Sequence, residues 1–238
     1  MSLKKADMSR EIANRFASPM SILSQKMANI TLGGNESPSR YPELDPLPRS
    51  FYERNTVDVA RDLIGKHVVK SMGDAILVGR IVETEAYTGF DDPASHAFRG
   101  KTLRNAVMFE GGGLAYVYFI YGSSFCLNAT SEVNGKPGAV LVRALQPVFG
   151  IREMRTNRGL PSNPVRDIAN GPGKICQAMR ITRALNGTDL TQSPELMISQ
   201  ERDACQFEIE SSPRIGVTKA RRRNWRFYIN GSEFVSRR

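Results

Sequence analysis

The run Ile81-Val82-Glu83-Thr84-Glu85-Ala86-Tyr87 ends a strand-like pattern with two carboxylates two positions apart. Side chains alternate along a strand, so Glu83 and Glu85 share a face, with Cα atoms roughly 6.6 Å apart if the strand is regular. Two carboxylates at about that separation suit hydrolysis of a glycosidic bond. Two solvated charges on a strand face would read the same way, and the residue types alone leave both open. His96 follows in the polar stretch Asp91-Asp92-Pro93-Ala94-Ser95-His96. The other histidine, His67, sits in an apolar strand pattern and reads as structural. Arg143 lies inside Val140-Leu141-Val142-Arg143-Ala144. A charge in an apolar strand must be paired or face a polar site, and a structural ion pair would satisfy that as well as a catalytic one. Asn128, after Cys126-Leu127, either closes a turn or reaches into a pocket. Gly171-Pro172-Gly173-Lys174 is suited to phosphate by its free amides and lysine, though Gly-Pro is also ordinary helix-entry chemistry.

These residues need elements to hold them. The segment Ala115-Tyr116-Val117-Tyr118-Phe119-Ile120-Tyr121-Gly122 is rich in aromatic and β-branched residues and is bounded by glycines, so it predicts a strand. Alternation puts Tyr116 and Tyr118 on one face, Phe119 and Tyr121 on the other. A core strand is the plain reading, and an aromatic platform and wedge for bases is the functional one. A helix is expected over 55–64, stopped by Gly65. Strands are expected over 66–71 and 75–83, joined at Gly73-Asp74, and over 138–145. Helices are expected over 147–158 and 171–185, with short strands at 207–210 and 226–230. Hairpins and helices without a βαβ rhythm give α+β.

Composition limits the partners. The 238 residues carry 33 Lys and Arg against 24 Asp and Glu, a formal net charge of +9. That balance favours a polyanion, most often nucleic acid. The charge is concentrated: from Pro213 to the end, eight Lys and Arg accompany the single acid Glu233. Three cysteines at wide spacing form neither a zinc pattern nor a disulfide framework and fit a reducing compartment. No apolar run approaches the ~18 residues that a membrane helix needs. Residues 1–44, rich in Ser, Met, Asn and Lys, read as a mobile extension before a globular part at 45–238.

Taken in order, these segments resemble the alkyladenine (3-methyladenine, methylpurine) DNA glycosylases. The matching stretches are Gly79 to Tyr87, the spacing on to His96, Thr102-Leu103-Arg104-Asn105, and the aromatic strand with Gly122. Phe125-Cys126-Leu127-Asn128, Leu141-Val142-Arg143-Ala144-Leu145 and Gly171-Pro172-Gly173-Lys174 with Cys176-Gln177-Ala178 also match. So do Arg214-Ile215-Gly216-Val217 and Arg226-Phe227-Tyr228, so the likeness runs over about 45–238.

The resemblance implies an enzyme that flips a damaged purine out of duplex DNA and hydrolyses its N-glycosidic bond with an activated water. It implies Glu85 as the general base, with Arg143 holding the water or the neighbouring backbone and fixing the carboxylate. Tyr87, His96 and Tyr118 would enclose the flipped base, and Asn128 would crowd the exocyclic amine of normal guanine. Tyr121 would fill the gap in the duplex. Arg104, Lys174, Lys219 and Arg221 would hold phosphates. No metal and no cofactor are expected, and water as nucleophile implies no strand cleavage. The expected fold is α+β: a single domain with a curved, mainly antiparallel sheet, flanking helices and a protruding aromatic β-hairpin. The expected partner is double-stranded DNA containing damaged purines, read by a monomer away from membranes. The expected place is with the genome: cytoplasm or nucleoid in a prokaryote, nucleus or organelle in a eukaryote. The competing expectation is a catalytically inactive damaged-DNA-binding protein of the same fold.

Overall fold

The apolar runs of the sequence pair into one sheet. In the computed structural model, which describes residues 44–120, 122, 124–200 and 206–237, the strands are β1 (Asp45–Pro46), β2 (His67–Met72), β3 (Ala75–Tyr87), β4 (Ala115–Ile120), β5 (Ser124–Thr130), β6 (Ala139–Phe149), β7 (Leu196–Gln200), β8 (Ile209–Ser212) and β9 (Arg226–Ile229). The order is β1-β7-β2-β3-β6-β5-β4, with β9 joining β3 to β8, and each pairing is antiparallel. Short helices flank this curled sheet: α1 (Arg49–Tyr52), α2 (Thr56–Asp62), α3 (Ile151–Arg158) and α4 (Pro172–Ala178). The architecture is the expected α+β.

β3 is the spine. Its first half pairs with β2, as far as His67 opposite Arg80, and then β9 takes over opposite Glu83, Thr84 and Glu85. β6 runs along its other edge from Val78 to Tyr87. Ile76, Leu77, Val78, Ile81 and Val82 are all buried, so both faces of the strand are covered and the apolar run is nearly continuous. Thr84 points away from the two glutamates, and its hydroxyl donates to the carbonyl of Ala60 on α2 at 2.7 Å.

Two register irregularities sit beside the carboxylates. Ile81 pairs with Leu145 and Glu83 with Ala144, which leaves Val82 as an extra residue on β3. Glu83 pairs with Ala144 and Thr84 with Val142, which leaves Arg143 extra on β6. The register on either side is the same and would set Arg143 directly opposite Glu83, so the opposed bulges shift Arg143 out of that pairing, put Ala144 there, and then restore the register.

The elements differ from expectation in places. The helix expected over 147–158 starts only at Ile151, because β6 continues to Phe149. Pro147 fits the strand since β5 pairs with β6 only as far as Leu141, so no neighbour there needs its missing N–H. Gly150 then turns the chain at φ 71°, where an added Cβ would lie 2.6 Å from the Ile76 carbonyl oxygen. The helix expected over 171–185 ends at Ala178; Arg180 takes a left-handed φ of 51°, and a separate 3-10 turn covers Arg183–Leu185. The expected strand at 75–83 runs on to Tyr87, which puts Glu85 and Tyr87 on the strand itself. β1 and β7 complete the sheet at positions where no strand is expected, and β5 takes a range that the sequence reading leaves open.

β4 and β5 are joined antiparallel from Ala115 opposite Ala129 to Ile120 opposite Ser124. Phe119 and Phe125 are cross-strand partners with ring centroids 5.0 Å apart. Tyr121, expected at the tip of the hairpin, lies outside the described residues, as do residues 1–43 of the expected extension.

Candidate active site

The carboxylate face of β3, the tyrosine face of β4 and the segment after Arg214 enclose a cleft of about 820 Å³. Tyr87, His96, Tyr118, Asn128 and Arg143 line it. Lys174 and Lys219 stand on its wall.

Glu83 and Glu85 are both fully buried, which excludes the solvated-charge alternative. Their partners set them apart. Glu83 Oε1 accepts from Arg226 Nε at 2.7 Å, Arg143 Nε at 3.2 Å and the Ser236 hydroxyl at 2.9 Å, while its Oε2 accepts from the Ser236 N–H at 2.6 Å. Two guanidinium donors and a serine hold it in one place as a structural anion. Glu85 Oε2 accepts from the Tyr87 hydroxyl at 2.7 Å and from Arg143 Nη1 at 3.2 Å, and Oε1 accepts from the Ile215 N–H at 2.6 Å. An ionised carboxylate has about four acceptor sites, so three donors leave one on Oε1 for a water. Burial pushes the Glu85 carboxyl above its ordinary value, and Arg143, the Ile215 N–H and the Tyr87 hydroxyl pull it back only in part. Burial works against the Arg143 charge, but the two carboxylates outweigh it and raise its pKa, so Arg143 is a permanent cation.

The aromatic wall follows from strand alternation. Tyr116 and Tyr118 face the cleft side with ring centroids 5.1 Å apart. His96 meets Tyr118 edge-on at 4.7 Å, and its Nδ1 lies 2.9 Å from the Tyr116 hydroxyl. Burial of its packed side, then the nearby Arg104 charge, lowers the His96 pKa, so the ring is neutral at pH 7. Buried Asn105 holds this loop, donating from Nδ2 to the carbonyls of His96 at 2.8 Å and Gly100 at 3.0 Å. Asn128, also buried, donates to the Tyr116 carbonyl at 3.0 Å, which fixes its amide against the pocket. Cys126 lines the pocket too, but burial raises its thiol to about 11, which leaves it no thiolate at neutral pH.

The phosphate candidates are placed differently from one another. Lys174 Nζ donates to Asn170 Oδ1 at 2.7 Å from the cleft wall. Gly173 brings the start of α4 against β5, where an added Cβ would meet Ser124 at 3.0 Å. Arg104 is exposed, with its guanidinium 5.2 Å from the Tyr118 ring centroid. Lys219 and Arg221 are exposed on the segment that follows Ile215.

The family model for methylpurine-DNA glycosylase matches residues 50–233. The chain belongs to that family. Relatives agree: a protein of Koribacter versatilis is 44% identical over 199 residues, covering 83% of this chain and 96% of its own length. One from Methanocella arvoryzae is 48% identical over 195 residues, 81% of this chain and 96% of its own. One from Mesorhizobium japonicum is 45% identical over 205 residues, 86% and 97%. All three carry the provisional name 3-methyladenine DNA glycosylase.

Some of the residues that build this methylpurine-glycosylase cleft carried no expected role. The Ile215 amide is a backbone group and leaves no trace in a sequence. Ser236 and Arg237 line the cleft, and the Arg237 carbonyl accepts from Arg226 Nη2 at 2.8 Å. Arg214 and Arg226 stand in stretches that matched the family, yet only the structure pairs them with Asp92 and Glu83. Among the described residues no helix is long and apolar enough to cross a membrane.

Proposed function

We propose that residues 45–238 form a base-excision-repair DNA glycosylase domain that flips alkylated or deaminated purines from duplex DNA and hydrolyses the N-glycosidic bond. The observation that carries the reading is Glu85: a buried carboxylate of raised pKa, held by three donors beneath a cleft walled with aromatic rings. Glu85 activates the water that attacks C1′, and its charge stabilises the cation developing on the sugar. Arg143 fixes the carboxylate and keeps it ionised. The flipped base lies among Tyr87, His96 and Tyr118, where stacking is worth roughly 1–3 kcal/mol per base. An alkylated purine that carries positive charge gains further from the ring faces. Asn128 rejects normal guanine by crowding its exocyclic amine. Tyr121 fills the vacated space in the duplex. Water is the nucleophile, so the product is an intact strand with an abasic site.

The test is single-turnover excision from duplexes carrying 1,N6-ethenoadenine or hypoxanthine, with alkali to reveal abasic sites, beside methylated DNA scored for released 3-methyladenine. Release from methylated DNA is the expected result. Tight lesion binding with no release from all three would instead establish a damaged-DNA-binding protein.

Backbone contact is a separate prediction. Replacing Lys219 and Arg221 together with alanine weakens binding to lesion and undamaged duplex alike. It also flattens the plot of log affinity against log salt by about 1.8, since each lost phosphate contact removes roughly 0.9. An unchanged slope in a salt titration would take both residues off the DNA.

A further inference from the structure

We propose that Asp92 and Arg214 form a clamp that positions Glu85, Tyr87 and the His96 loop for excision. This rests on the glycosylase reading above and assigns both as positioning residues. Both side chains are fully buried. Arg214 Nη1 donates to Asp92 Oδ2 at 2.5 Å and Nη2 to Oδ1 at 2.8 Å, a planar two-point fork. Nη1 also donates to the carbonyl of Ala86, the residue between Glu85 and Tyr87, at 2.8 Å. The flat guanidinium lies 4.6 Å from the Tyr87 ring centroid and 5.2 Å from that of Trp225. The residue next to Arg214 is Ile215, whose N–H bonds Glu85.

Asp92 extends the clamp to the other wall. Its Oδ1 accepts from the Ala94 N–H at 3.2 Å, and its carbonyl accepts from the Ser95 N–H at 2.8 Å. Those bonds set the turn that delivers His96. One ion pair therefore ties together three segments: the end of β3, the 91–96 loop and the segment after Arg214.

Stability alone gives little reason for the pair. A buried ion pair is often replaced by apolar residues of similar volume without loss. Here Arg214 Nε also lacks a hydrogen-bond partner among the described residues. A pair kept under those terms, at the junction of the groups proposed to do the chemistry, is explained by geometry.

The clamp has a signature beyond fold maintenance. The Ile215 N–H and the Tyr87 hydroxyl both favour the ionised form of Glu85. Losing their placement moves Glu85 ionisation to higher pH. The charged and titratable groups around Glu85 are Glu83 and Tyr87 of β3, Arg143 of β6, Cys126 of β5 and Arg226 of β9. Lys219 and Arg237 stand on the cleft wall. Removing Asp92 and Arg214 together takes out one charge of each sign, so simple charge change does not produce the shift.

The experiment compares wild type, Arg214→Lys and the double variant Asp92→Asn/Arg214→Met. It reads melting temperature, lesion-duplex binding and single-turnover excision from pH 5 to 9. Arg214→Lys keeps a cation opposite Asp92 but loses the fork and the flat face. The double variant leaves no buried charge unpaired. Both are expected to stay folded and bind, with the acid limb of the rate profile moved up by about one pH unit and the rate near that limb down roughly tenfold. A folded variant with the wild-type limb and rate would overturn the clamp, and so would a rate loss that only follows the unfolded fraction while the limb stays put. Failure of the underlying reading looks different: the wild type would have no acid limb, or Glu85→Gln would excise normally.

Discussion

Glu85→Gln leaves lesion binding nearly intact and lowers single-turnover excision by roughly 10⁴-fold, combining loss of the general base with loss of the charge that steadies the sugar cation. The substitution is close to isosteric, so the pocket rings stay where they are. It is not silent in the hydrogen-bond network. The Ile215 N–H faces one oxygen of Glu85, and the Tyr87 hydroxyl with Arg143 faces the other. An amide has one oxygen, so its NH₂ must face a donor on one side. That costs about 1–3 kcal/mol for the donor left unpaired, partly offset because a buried charge is gone. Melting therefore falls by a few degrees at most, too little to explain a loss of rate by unfolding.

The pH dependence follows from the same residue. The Glu85 pKa is raised, chiefly by burial, so the acid limb of the wild-type profile lies above the ordinary carboxylate range. The rate climbs as pH rises through it. His96 is shifted the other way, below its ordinary value. Glu85→Gln removes the limb if it belongs to Glu85 and leaves it if it belongs to His96. An unchanged excision rate would remove Glu85 from the chemistry.

How much of this was legible depends on what each residue displays. Arg143 was visible because a charge inside Val-Leu-Val-Arg-Ala has nowhere cheap to go. Which strand it faces was not: the pairing of β3 with β6, and the opposed bulges at Val82 and Arg143 within it, are written in two strands rather than in either one. The same limit explains the two glutamates. Spacing puts both on one face, but only the arrival of Arg226 and Ser236 from the far end of the chain ties Glu83 down and leaves Glu85 the less fully bonded of the two. The late start of α3 has a local cause. Pro147 signals a helix entry, yet a strand paired along one edge accepts proline, and Gly150 makes the turn. β7 leaves little mark in the sequence, because its neighbours β1 and β2 are distant in the chain and Leu196 to Gln200 is a short run. The tyrosine face of β4 was readable outright, since strict alternation determines it.

Arg143→Gln is expected to harm both stability and rate, and the two losses separate by pH. Among the described residues Arg143 is the one cation that bonds both Glu83 and Glu85, at 3.2 Å each. Removing one partner of a buried ion pair costs about 3–5 kcal/mol, because the carboxylates stay buried. Glu83 is cushioned by Arg226 and Ser236. Glu85 keeps only the Tyr87 hydroxyl and the Ile215 N–H, and without the arginine its pKa climbs further above the unfolded value. The sign follows from proton counting. Between the unfolded and folded pKa values the native state binds more protons than the unfolded state, so stability falls as pH rises through that window. Above it, the full cost of a buried anion is felt. The melting gap between variant and wild type should thus be smaller at pH 5.5 than at pH 8. Excision at pH 7 should fall by roughly 10²–10³-fold and recover in part as pH rises, because more of Glu85 is then ionised. Rate and stability consequently move in opposite directions with pH in this variant. Melting curves and single-turnover rates over the same buffer series test that opposition. A rate loss independent of pH would mean that Arg143 acts on the water or the DNA and not through the ionisation of Glu85.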